Sequence, residues 1–141
     1  MSRIVVATNG SPGGRLAERT GLELARDVGA DVIFVAVRDV SSMLREGRTN
    51  GDTLDALDDA LAEAERHGLP AQVEIAEGDP VTEILRVAHD RDADLIVVGP
   101  PDPDGCAHGV ALELPKHSWI PVLVVEERDE AAIGGQLVGS A

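Results

Sequence analysis

Aromatic residues are almost missing from this sequence: Phe34 and Trp119 are the only two, and tyrosine does not occur. No ring platform exists for stacking bases, and a net charge of -14 repels a phosphate backbone, so nucleic acid is not an expected partner. Cysteine occurs once, as Cys106, which excludes an internal disulfide and fits a reducing compartment. Long hydrophobic runs are lacking too. The amino terminus, Met-Ser-Arg-Ile-Val-Val-Ala-Thr, passes straight into a strand, and its apolar run is too short for a signal peptide or a membrane span. The expectation is a soluble, cytoplasmic protein with no membrane partner.

Lysine is the scarcest charge. Lys116 is the only one among 12 basic residues, against 26 aspartates and glutamates. An acidic, lysine-poor surface suits a halophile, whose salt screens self-repulsion; a GC-rich genome, which favours arginine codons, gives the same composition. Both readings stay open.

What is present is a chain of 141 residues with 43% hydrophobic content, enough for one aliphatic core without disulfide or metal staples. Leu95-Ile96-Val97-Val98 shows no polar alternation, the pattern of a central strand covered on both faces by helices. It breaks into Gly99-Pro100-Pro101-Asp102-Pro103-Asp104-Gly105, a loop at the carboxyl end of that strand, where ligands of parallel sheets sit.

The rest alternates strand and helix. Ile4–Ala7 reads as a first strand, followed by Gly10, a capping Ser11 and an N1 proline that open a helix. Its mostly small face is Ala17, Gly21, Leu24, Ala25 and Val28, and Gly29 ends it. Asp31–Val37 is a second buried strand, parallel to the first. Residues 38–51 are polar and irregular. Leu54, Leu57, Leu61 and Ala64 mark a helix ending at His67-Gly68, where His67 reads as a capping residue. Gln72–Ala76 alternates and is expected at a sheet edge. Gly78-Asp79-Pro80 opens a helix with Val81, Ile84, Leu85 and Ala88 inward, and His89 on a solvated end. Residues 107–119 read as an uneven helix that Pro115 kinks or divides, and residues 121–125 as the last strand. The expected division is an α/β domain over residues 1–126 and an acidic, then glycine-rich tail over residues 127–141.

Four of these stretches together resemble the universal stress protein family: Ile-Val-Val-Ala-Thr-Asn-Gly-Ser, the Gly-Asp-Pro turn, Asp-Ala-Asp-Leu-Ile-Val-Val-Gly, and Ile-Pro-Val-Leu-Val-Val, in this order over residues 3–126. The resemblance implies a single doubly wound five-stranded parallel sheet, strand order 3-2-1-4-5, with helices on both faces. The strand and helix succession agrees with it independently. Many members of that family bind ATP through an acid after the first strand, backbone near the end of the second, and a Gly-x2-Gly-x9-Gly-Ser/Thr loop after the fourth.

Carried over residue by residue, a nucleotide site would use Asn9, Gly10, Ser11, Val37, Gly99 and Gly109. The sequence departs from the pattern at most of these places. Asn9 stands where the acid belongs, Asp102 replaces the second loop glycine, and the segment from Gly99 to Pro121 is shorter than the motif. Pro100, Pro101 and Pro103 carry no N–H for a phosphate cradle, and Asp102 and Asp104 repel a triphosphate. A degenerate member lacking the usual ATP-binding loop is expected, with no cofactor and no tight hold on ATP.

Alternatives remain. A nucleotide could bind through a non-standard loop, or Asp102, Asp104, Cys106 and His108, at every second residue, could hold a transition metal. Against the metal, no paired Cys-x2-Cys or His-x3-His spacing occurs. Nothing in the pattern supports catalysis: Ser11 reads as a helix cap and Cys106 lacks an evident activating base. The preferred expectation is a non-catalytic stress protein acting through contacts with an unidentified protein partner and as a homodimer. The family's usual dimer mode places the interface on Val122, Leu123, Val124 and Val125, an edge strand with unpaired backbone unless the tail folds back over it.

Overall fold

The computed structural model describes residues 2–9, 12–38, 50–100 and 107–126. The elements run β1 (Arg3–Ala7), α1 (Pro12–Val28), β2 (Asp31–Arg38), α2 (Asn50–Arg66), β3 (Ala71–Glu77), α3 (Pro80–Asp90), β4 (Leu95–Val98), α4 (Ala107–His117) and β5 (Val122–Val124). The strands form one sheet in the order β3-β2-β1-β4-β5, every neighbouring pair parallel, as expected.

The unbroken apolar strands are explained by two cores. On one face Val6, Val32, Phe34 and Val97 meet Ala17, Leu22 and Ala25 of α1 and Leu57, Ala60 and Ala64 of α2. On the other Val5, Ile33, Val35, Ile96 and Val98 meet Ile84, Val87 and Ala88 of α3 and Leu114 of α4. Helices on both faces leave no central strand an aqueous side, which is why alternation of the sequence is lost there; at the β3 edge burial follows the alternation only in part, with Ile75 38% exposed and Glu74 half-buried.

Local chemistry sets the helix ends. Asp79 caps α3, its Oδ2 accepting the Thr82 N–H at 3.0 Å and the Thr82 hydroxyl at 2.9 Å, and these bonds hold its carboxyl below the usual range. Three details differ from the sequence reading. Val28 is 61% exposed at the last residue of α1, where the chain turns away through Gly29, and Leu22 is buried in its stead. Leu54 is 52% exposed because Ala56 and Ala60 rotate the buried face of α2 to their own side, where small side chains let the helix close on the sheet. Pro115 does not divide α4: it falls near the end of the helix on an exposed side, and Ser118 N–H still donates to the Leu114 carbonyl at 3.1 Å. The tail, residues 127–141, and positions 39–49 of the segment 38–51 expected to be irregular lie outside the described residues; Arg38 closes β2, and residues 50–51 begin α2.

Candidate functional site

The order β3-β2-β1-β4-β5 reverses direction between β1 and β4, so their carboxyl ends flank the crevice where open α/β sheets take ligands. The first turn of α1 stands over the same end. Asn9 is the second residue after β1, and its Oδ1 lies 2.9 Å from where a Cβ on Gly14 would be, with Thr8 Oγ1 at 3.0 Å from that point. The amide that replaces the family's acid is therefore at the amino end of α1, beside helix backbone.

Gly99 is positioned at the other side of the crevice by β4. A Cβ there would lie 2.4 Å from the Gly13 carbonyl oxygen, so the loop leaving β4 rests backbone to backbone on the first turn of α1. Pro100 extends the contact, its Cδ 3.2 Å from the place of a Gly13 Cβ. Only glycine at 99 allows this approach.

Val37 stands past the end of β1, since the β1–β2 register closes at Ala7 and Val35 while Val37 pairs with Ala76 of β3. It is thus near the carboxyl end of β2, on the β3 side of β1. Gly109 falls in the first turn of α4, not in a loop. Gly10 and Ser11 lie outside the described residues, as do Asp102, Asp104 and Cys106 of the metal alternative; His108 is in α4, its side chain outside the description. Among the described residues no group of three His, Cys, Asp or Glu side chains is gathered to hold a metal.

Three residues escaped the sequence reading. Thr8 and Glu18 are both buried, 5% and 6% exposed, and the Thr8 hydroxyl donates to Glu18 Oε2. The Thr8 N–H donates to the Val35 carbonyl at 2.9 Å, fixing the exit of β1 against β2. Burial pushes the Glu18 carboxyl above its ordinary value, partly opposed by the Thr8 bond and by Arg15. The available sign was spacing, since Glu18 lies four residues before the core residue Leu22. The third residue is Arg38 at the carboxyl end of β2, ion-paired with Glu77, whose Nε is buried with no hydrogen-bond partner among the described residues.

Comparison with known proteins places these features in a family. The profile of the universal stress protein family matches residues 1–126. A curated relative, universal stress protein MJ0531 of Methanocaldococcus jannaschii, is 30% identical over 139 aligned positions, covering 89% of this chain and 82% of that protein. A crystal structure of a universal stress protein family member from Burkholderia pseudomallei is 32% identical, with a TM-score of 0.73, over 88% of this chain and 95% of that one. A universal stress protein crystallised in complex with cAMP is 25% identical, with a TM-score of 0.69, over 89% of this chain and 96% of that one. No helix among the described residues is long and apolar enough to cross a membrane.

Proposed function

The chain belongs to the universal stress protein family, and on that premise we propose that it is a non-catalytic stress or adaptation protein that acts through self-association and protein contacts without holding ATP tightly. The observation that carries this reading is the contact of Gly99 and Pro100 with Gly13, which sets the chain leaving β4 against the first turn of α1. A phosphate cradle needs successive free N–H donors, and Pro100 supplies none. Asn9, in the place of an acid, gives a weaker acceptor for a ribose hydroxyl than a carboxylate would. Thr8 and Glu18 are bonded to each other inside the protein, which supports a structural tie between β1 and α1.

Self-association is assigned to β5, at the sheet edge, where a second copy could pair its own β5 antiparallel about a twofold axis. Calorimetric titration of the full chain with Mg-ATP tests the central claim.

A second reading is favoured by Arg38. Its buried Nε at the end of β2, one residue beyond Val37, is a donor suited to a nucleotide phosphate or ribose, and one relative was crystallised with cAMP. On this reading the site takes a monophosphate, which needs no triphosphate cradle, and the same titration run with cAMP separates the two.

A further inference from the structure

At the opposite end of the sheet, under the amino ends of β1, β2 and β3 and the last turn of α3, lies a cavity of about 360 Å³, within the range of small-molecule sites. The parallel register sets Arg3 of β1 directly beside Asp31 of β2. Neighbouring opposite charges on paired strands ordinarily attract one another. Here they do not pair. The Arg3 guanidinium turns to the end of α3, where its Nη1 donates to the Arg91 carbonyl at 2.8 Å, one of the carbonyls a helix leaves without an internal partner. Asp94 forms no ion pair with it; its Oδ2 accepts the Arg3 backbone N–H, at 2.9 Å.

The consequence is a cavity with two separate, opposite charges. Arg3 has no carboxylate partner among the described residues, and the Asp31 side chain has no hydrogen bond or ion pair among them. The other cation on the wall, Arg91, is already satisfied: Nε and Nη2 donate to Glu74 Oε1 at 3.2 and 2.9 Å, and Nη1 donates to Gln72 Oε1 at 2.5 Å. Val32, Ile33, Pro70 and Ala71 supply the apolar part of the lining. A simple anion would meet Arg3 but be repelled by Asp31 and by a chain of net charge -14; a simple cation would meet Asp31 but be repelled by Arg3. Only a ligand carrying both signs complements both groups.

We propose that this cavity binds a small zwitterion of the α-amino acid class, its carboxylate on Arg3, its ammonium on Asp31 and its aliphatic part against Ile33, Pro70 and Ala71. The site is at the end of the sheet away from Asn9 and Gly99, so it stands or falls independently of the reading above. An NMR titration of the full, ¹⁵N-labelled chain tests it with three probes: L-leucine, N-acetyl-L-leucine, which lacks the ammonium, and L-leucinamide, which lacks the carboxylate. Leucine is expected to give saturable shifts at the amides of Asp31, Ile33 and Ala71, and each capped analogue to bind about tenfold more weakly or worse, the effect of losing one charge-assisted bond. Asp31→Asn should erase the preference for leucine over the acetylated form and keep the preference over the amide. Absence of saturable shifts up to the solubility of leucine, equal binding of the three probes to the wild type, or shifts confined to Asn9 and Gly99 would each overturn the proposal. The probe series on the wild type decides the matter even where the variant does not fold.

Discussion

The Thr8 hydroxyl donates to the Glu18 carboxyl inside the protein, tying the residue that follows β1 to the second turn of α1. Burial raises the Glu18 pKa above its ordinary value of 4.5. A group whose pKa is higher in the folded state contributes stability that is fully present below its unfolded value and is lost as pH rises through the folded value. Glu18→Gln, which stays neutral, should therefore melt above the wild type at neutral pH, with the difference shrinking as pH falls below the ordinary carboxyl value. Melting curves of both proteins across that range check this; a gap that does not narrow on acidification would refute the assignment.

The approach of Gly99 to Gly13 should be intolerant of any side chain. Gly99→Val places new atoms against the Gly13 backbone, where nothing flexible can give way, and should cost about 1–3 kcal/mol by the usual scale of overpacking. Urea unfolding measures it. A variant as stable as the wild type would mean that the β4 loop stands clear of α1.

The sheet was legible in the sequence because a strand covered on both faces cannot hide its composition: Ile96, Val97 and Val98 had to lie between two helical layers, and Gln72 and Glu74 had to lie at an edge. Asp79 and Pro80 likewise wrote the start of α3 in their own chemistry. Leu54 and Val28 were misplaced because periodicity gives a helix a face but not the exact rotation at which it meets a neighbour. The site was legible only in part. Asn9 and Gly99 stand beyond the carboxyl ends of β1 and β4, whereas the approach of Gly99 to Gly13 depends on a backbone distance, which spacing does not encode. Glu18 went unseen because a carboxylate in a helix is ordinarily a solvated one, and its burial follows from Thr8 across the fold.

Stability should rise with salt. A net charge of -14 repels itself, and ions screen that repulsion over about 10 Å at 0.1 M and less at higher concentrations. The melting temperature is expected to climb from low to molar potassium chloride. A flat profile would take away the physical basis for a halophile surface and leave genomic composition as the account of the missing lysines.

Self-association through β5 is best tested at Leu123. Val122 and Val124 pack towards α3 and α4, so changing them disturbs the core, whereas Leu123 is 37% exposed on the other face. Light scattering on the full chain should give a dimer, and Leu123→Lys, which adds a charge beside its twofold mate, should give a monomer. A monomeric wild type, or a variant that stays dimeric with its fold intact by circular dichroism, would move the interface elsewhere.

The central claim is that the crevice between β1 and β4 does not hold a triphosphate. Isothermal calorimetry of the full chain with Mg-ATP is its most direct test: the contact of Gly99 and Pro100 with Gly13 predicts no saturable heat at micromolar nucleotide, and a dissociation constant in the micromolar range would contradict it.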